Sequence, residues 1–240
     1  GLLIDERKKL LYKFIEFLKL HTNQSSSQLY QDIFAAFVVK DNFDKTFLEF
    51  GATDGKSLSN SYMLENKLSW TGVLAEPDSN WFNSLKENRP KTNILYKCIW
   101  NATGEKLSFF SSKHSELSTL ENFKENDMSS MPANTKLRIK EGNNITVESI
   151  SINDVINTEF KKNCPSYISV DTEGSEFEIL RSFDFSKYRP AVFTVEHNFT
   201  KLQKKIDELM DENNFIRVFK KLTVFDAWYV SKEALDKIEN

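Results

Sequence analysis

Glycine is scarce in this chain, seven among 240 residues, and no Gly-x-Gly-x-x-Gly run occurs. A dinucleotide turn needs closely spaced glycines to bring backbone onto a pyrophosphate, so a nicotinamide-dependent oxidoreductase is disfavoured. Cysteine is scarcer still. Cys98 and Cys164 stand far apart, match no metal or redox spacing, and suit a reducing cytoplasm. No apolar run approaches the ~18–20 residues of a membrane span, and no signal-peptide pattern is visible. A soluble, cytoplasmic protein is expected. A net charge of -3 with 28% charged residues offers no general electrostatic case for nucleic acid. What is abundant is phenylalanine, 20 residues, which points to an aromatic-rich core and aromatic-lined pockets.

The length suits one large α/β domain. Residues 5–20 pattern as an amphipathic helix with Leu10, Phe14, Phe17 and Leu18 on one face, and 21–28 as a polar linker. A second helix is expected over 28–39, with Tyr30, Phe34 and Phe37/Val38 as its apolar line. Strands at 46–50, 71–75 and 94–100 then alternate with helices at 57–67 and around Trp81 to Leu85. That alternation is the first half of a doubly wound fold. After a strand at 107–110, residues 111–144 are rich in Ser, Asn, Lys and Glu, as in a lid or a surface loop. Alternation resumes with strands at 145–149, 167–170 and 191–195. Helices are expected at 153–160, at 176–183 (Ser175 and Glu178 forming a capping box) and at 201–212. Strands at 215–220 and 227–230 could pair as a hairpin before a short closing helix. The division expected is 1–27, an N-terminal helix and linker, and 28–240, a single α/β domain.

The chain is organised around Phe47-Leu48-Glu49-Phe50-Gly51-Ala52-Thr53-Asp54-Gly55. A buried strand ends in an acid and a glycine turn, with Gly51 and Gly55 expected to bring the backbone close to a ligand. A carboxylate two residues before the turn suits a cationic ligand with hydroxyls and an amine, which suggests S-adenosylmethionine (SAM). Glu76-Pro77-Asp78, Asp171 and Glu196 end three other strands, so four acids should converge on one crevice. Glu76 would accept the ribose hydroxyls, while Glu49 and Asp54 would hold the amino-acid end. A bland alternative makes Glu76 a partner of a helix dipole.

Glu49-Phe50-Gly51-Ala52-Thr53-Asp54-Gly55, Ala75-Glu76-Pro77-Asp78 and Val170-Asp171-Thr172-Glu173-Gly174-Ser175-Glu176 resemble the signature blocks of the FkbM family. Gln28, Gln31-Asp32 and Val195-Glu196-His197-Asn198 are also similar to family positions. Thr53 stands where the wider methyltransferase class often has a glycine, but it suits this family. The resemblance implies a class I, Rossmann-like fold with a seven-stranded, mostly parallel sheet whose last strand runs antiparallel. It further implies a SAM-dependent O-methyltransferase acting on hydroxyls of sugars, glycans or related small molecules. Gly51, Ala52, Gly55, Ser57, Pro77 and Asp78 join Glu49, Asp54 and Glu76 as expected cofactor-binding positions.

An alcohol is a poor nucleophile at neutral pH, so a base or a metal should assist methyl transfer. Asp171, Glu196 and His197 are the candidates. In one version His197 is the base, oriented by a carboxylate. In another, Asp171 and Glu196 bind Mg²⁺ with Asn198 or His197 completing the site. His197 could equally be a hydrogen-bonded residue closing a strand, Glu173 could cap a helix or line the pocket, and His114 could reach substrate. The competing class is a catalytically silent SAM-binding scaffold protein. Assembly as a homo-oligomer is left open.

Overall fold

Short runs of apolar residues, too short for helices and free of proline, form the strands of the main sheet. The computed structural model describes residues 2–112, 118–123 and 142–239, with side chains described from Arg7 onward. Strands β1 (Thr46–Phe50), β2 (Thr71–Ala75), β3 (Asn93–Leu95), β8 (Tyr167–Val170), β9 (Val192–Glu196), β10 (Phe215–Val218) and β11 (Asp226–Ser231) make one sheet. Their spatial order is β3-β2-β1-β8-β9-β11-β10. β3, β2, β1, β8 and β9 are mutually parallel, and β11 runs antiparallel to both β9 and β10. This is the seven-stranded class I methyltransferase sheet, with the terminal hairpin expected from the sequence.

The helices are α1 (Leu2–His21), α2 (Gln31–Val39), α3 (Tyr62–Leu68) and α4 (Phe82–Asn88), then α5 (Ile152–Glu159), α6 (Glu176–Arg181), α7 (Leu202–Glu212) and α8 (Lys232–Glu239). Along each strand the side chains alternate between two cores. One face carries Phe47, Leu74, Tyr167, Val192 and Trp228 and is covered by α1 and α2. The opposite face carries Leu48, Val73, Ile168 and Phe193 and is covered by α5, α6 and α7. All nine residues of α2 are buried, so this helix has no solvent side. Tyr30 stands outside its expected apolar line, left-handed at φ 66° and exposed. Phe34 stacks on Trp228 at 4.4 Å, and Phe14 of α1 meets Phe34 edge-on at 5.6 Å, so α1 shares the domain core.

Four expectations are corrected. The single strand expected at 94–100 breaks at Tyr96-Lys97 into β3 and β4 (Cys98–Trp100). β4 leaves the main sheet and pairs with β7 (Gly142–Ser151) in a second sheet, order β4-β7-β5-β6, with β5 (Lys106–Ser112) and β6 (Thr119–Leu120). The described parts of 111–144 therefore belong largely to this sheet; the rest of that stretch, with His114, lies outside the described residues. The helix expected from Ser57 begins only at Tyr62, because Ser59, Asn60 and Ser61 bond to Glu49 instead of starting a helical turn. No Ser175–Glu178 capping box forms. Ser175 Oγ bonds Thr172 Oγ1, Glu178 pairs with Arg181, and the Glu176 carboxylate accepts the N–H groups of Thr172 and Gly174.

Candidate active site

Parallel strands deliver their C-terminal ends to one edge of the sheet, and there a cavity of about 370 Å³ opens. Glu49, Glu76, Asp171 and Glu196, the four strand-end acids, all line it. So do Gly51, Ala52, Asp54, Ser57 and Pro77 among the expected cofactor positions. Gly55, Asp78 and His197 are not in that lining.

Each of the three has its own role in the fold. Gly55 lies at φ +74°, and a Cβ there would meet Leu85 Cδ1 at 2.4 Å and Arg89 Cγ at 2.8 Å, so it serves packing on α4. Gly51 likewise lies at φ +67°, but a Cβ there would stand 2.3 Å from the carbonyl oxygen of Asp171. Within the protein its close approach is to the neighbouring strand end. Asp78 is buried, caps the following turn by accepting Asn80 N–H, and receives the Ser111 hydroxyl from β5.

His197 is buried beside a small recess. Its Nδ1 accepts the Phe199 N–H at 3.1 Å and its Nε2 lies 3.1 Å from Arg217 Nη2. Burial, and then the Arg217 charge, push its pKa down to about 4. The ring is therefore neutral at physiological pH, with Nδ1 held by Phe199 and Nε2 next to the Arg217 guanidinium.

The acids that do line the cavity differ in what already holds them. Glu49 accepts Asn60 N–H at 2.7 Å and the hydroxyls of Ser59 and Ser61, and so fixes the loop before α3. Arg89, 1% exposed, backs this loop through Gly55 O and Ser61 Oγ and pairs with Glu65. Asp54 holds Lys56 N–H, Ser57 N–H and Ser57 Oγ. Glu76 accepts Thr53 N–H and Asp78 N–H, both at 2.8 Å, joining the first two strand ends, and burial raises its pKa to about 7. Nearby, Trp81 lines the cavity with a buried Nε1 that has no partner among the described residues.

Asp171 and Glu196 form a different kind of group. β8 and β9 run in register through Val170 and Val195, so the next pair, Asp171 and Glu196, stand side by side. Asp226 is the register partner of Glu196 on β11, so three carboxylates cross three adjacent strands on one face. Asp171, Glu173 and Glu196 each offer an oxygen, and these lie within 4.8 Å of one another. Like charges this close in a buried site cannot all ionise easily. Burial first, with neighbouring carboxylates adding to it, pushes Asp171 to about 7 and Glu196 well above its ordinary value. Asp226, raised to about 6 by burial, accepts Gln31 Nε2, Trp228 Nε1 and Ala227 N–H.

Asp226, Asn60, Trp81 and Arg89 were not singled out from the sequence as site residues. Asp226 had a legible signal: on an antiparallel strand it is the start, not the end, that reaches the crevice.

The Methyltransferase FkbM domain matches residues 49–217, well over half of the chain. No curated protein matches. Among solved structures, the fold is similar to a methyltransferase FkbM from Methylobacillus flagellatus, at 13% identity and TM-score 0.48. That match covers 94% of this chain and 55% of the other, so the chain spans about half of that protein's length. A precorrin-6y C5,15-methyltransferase from Geobacter metallireducens matches at 9% identity and TM-score 0.42, covering 80% and 77% of the two chains. An O-methyltransferase from Bacillus cereus in complex with SAH (S-adenosylhomocysteine, demethylated SAM) matches at 12% identity and TM-score 0.41, covering 92% and 91%.

Proposed function

We propose, since the chain belongs to the FkbM methyltransferase family, that it is an O-methyltransferase acting on a hydroxyl of a sugar, glycan or related small molecule. The observation that carries the reading is the Asp171–Glu196 carboxylate pair, set into the cavity at the strand ends. SAM supplies an electrophilic methyl carbon on a sulfonium and leaves as a neutral thioether. The residues present fit it: a cavity rich in carboxylates favours a cation, and the Trp81 N–H, without a partner among the described residues, offers a donor in the same cavity. Glu76 would hold the ribose, while Ala52, Thr53, Asp54 and Ser57 would line the rest of the donor half.

Asp171 is the proposed base. With an acceptor hydroxyl in place, the Asp171 carboxylate would take its proton as the oxygen attacks the donor's methyl carbon. A carboxylate raised to about 7 is well matched to that task at neutral pH. Glu196 holds it by hydrogen bond. Much of the rate comes from holding the acceptor oxygen in line with the methyl group. His197, neutral and with Nδ1 accepting the Phe199 N–H, takes a structural role in this scheme.

The test is incubation with methyl-labelled SAM and a panel of hydroxylated acceptors. Asp171→Asn is expected to lower turnover by about 10²–10⁴-fold while SAH still binds. SAH binding without transfer to any acceptor would instead favour the silent scaffold. A second reading of the base rests on the oxygens of Asp171, Glu173 and Glu196 lying within 4.8 Å of one another, as ligands of one divalent cation would. Activity unchanged in a chelator would exclude that version.

A further inference from the structure

Arg89, at the C-terminal end of α4, is fully buried yet stands outside the cavity lining. A guanidinium is kept from water only where its charge and its N–H groups are matched. Part of the match is local. Nε pairs with Glu65, Nη1 donates to Gly55 O at 3.0 Å, and the guanidinium carbon lies 5.4 Å from the Phe47 ring centre. The rest is turned toward the cavity wall. Nη2 donates to Ser61 Oγ at 3.1 Å and Nη1 reaches Ser59 Oγ at 3.4 Å. Both hydroxyls donate onward to Glu49 Oε2.

This relay sets a buried cation behind Glu49, a buried carboxylate that does line the cavity. Burial pushes the Glu49 pKa up, and the Arg89 charge leads the influences that pull it back. The same bonds fix the orientation of the group. Oε2 receives two hydroxyls and Oε1 one N–H, from Asn60, so Oε1 keeps acceptor capacity for a ligand. Within the lining itself, among the described residues, the positive charge is Lys97, and Glu148 already pairs with it.

We infer that Arg89 is a positioning residue for the methyl donor: through Ser59 and Ser61 it keeps the Glu49 carboxylate ionised and in place for the ammonium end of SAM. The inference rests on the reading of this cavity as a SAM site and deepens it, tying donor affinity to a residue that touches no donor atom. An ionised carboxylate gives an ammonium a charge-assisted hydrogen bond, and a protonated one does not. The other titratable groups around Glu49 are Glu65 on α3, Tyr167 and Asp171 of the β8 edge, Glu76 after β2, and Asp32 on α2, which Ser26 ties to Ser59. None of these supplies a positive charge. Without Arg89, burial and like charges are left to govern Glu49, which then takes up a proton nearer neutral pH.

The experiment is titration calorimetry with SAH, which keeps the ammonium of SAM, on the full chain at a series of values from about pH 6 to about pH 8.5. No binding by the wild-type chain overturns the SAM reading and the inference with it; once the wild type binds, the variants judge Arg89 alone. Arg89→Met/Glu65→Gln removes the ion pair as a unit and so leaves no orphaned buried charge at Glu65. Arg89→Gln, which also removes the charge, takes its place if the double variant does not melt cooperatively. The SAH Kd of the charge-removed variant is expected to exceed that of the wild type at least about tenfold near pH 6, with the gap closing as pH rises and Glu49 ionises. Glu76 and Asp171 titrate in both proteins, so the gap between the two profiles reports on Glu49. Arg89→Lys keeps the charge without the fork and is expected to stay within about threefold of the wild type at every pH. Adding Glu49→Gln to both backgrounds is expected to abolish the gap. Equal Kd values, a gap of one size at every pH, a gap as large in Arg89→Lys, or a gap that survives Glu49→Gln overturns the inference.

Discussion

A methyl group added at Gly51 would stand 2.3 Å from the Asp171 carbonyl oxygen, on a backbone at φ +67°. Neither the strand nor the turn can yield without moving Asp171, the proposed base. Gly51→Ala is therefore expected to destabilise the fold by about 2–4 kcal/mol, from steric conflict and left-handed strain together, read as a lowered Tm. Glu49→Gln removes a charged acceptor shared by Ser59, Asn60 and Ser61, and should cost about 2–3 kcal/mol. The same residues show how far the sequence can be read. That Glu49, Glu76, Asp171 and Glu196 would meet followed from parallel strands ending in acids. What each acid then bonds did not follow, because those partners come from loops whose paths depend on the whole fold. Gly55 and Asp78 look like ligand residues in a motif, yet one accommodates Leu85 and the other holds Ser111. His197 invited a catalytic role as one of three histidines, placed at an expected strand-end crevice; burial first, and then Arg217 twenty residues on, keep its pKa low.

Two hydrogen-bonded junctions tie the second sheet to the site. At one end, Ser111 Oγ of β5 bonds Asp78, just past Glu76-Pro77. At the other, Thr119 Oγ1 of β6 donates to the carbonyls of Thr172 and Glu173, at 3.3 and 2.8 Å. Phe109 and Leu120 between these junctions line the cavity. Thr119→Val keeps the shape and deletes the second junction. It should cost no more than about 1–1.5 kcal/mol in stability while raising the acceptor KM several-fold and leaving the SAH Kd unchanged. Steady-state kinetics beside calorimetry would check this. The sheet itself was only half legible. β5 and β7 had strand patterns, but pairing of β4 with β7 joins residues about fifty apart, and no periodicity encodes such a partner. α3 was set too early for a related reason: Ser57 to Ser61 read as a helix start, while Glu49 claims their polar groups.

For the whole molecule, buried acids make stability depend on pH. Glu76 and Asp171 at about 7 and Asp226 at about 6 are raised by burial from ordinary values of 4.5, 3.8 and 3.8. From about pH 4.5 to 7 the unfolded chain releases these protons and the native chain keeps them, so stability falls as pH rises through that window. His197, lowered to about 4, works the other way between pH 4 and 6.5 because the unfolded chain binds its proton. Three acids outweigh one histidine. The ligand-free protein is expected to lose about 2–4 kcal/mol between pH 5.5 and 8, a Tm drop of about 5–10 °C. A flat or rising Tm in a thermal scan would contradict those burial assignments. The seven-stranded sheet with its antiparallel last strand was anticipated because it came as a unit with the family resemblance. The two cores and the wholly buried α2 instead needed the topology to show which faces are covered.

The central claim is that the cavity at the strand ends holds SAM, with Glu76 reading its ribose. Titration calorimetry with SAH, on the wild-type chain and on Glu76→Ala, tests it most directly. Wild-type binding in the range of about 1–100 μM, weakened at least about tenfold by the substitution (about 1.4 kcal/mol), is the predicted result. No heat of binding from the wild-type protein at high micromolar SAH, in a sample that melts cooperatively, would contradict it.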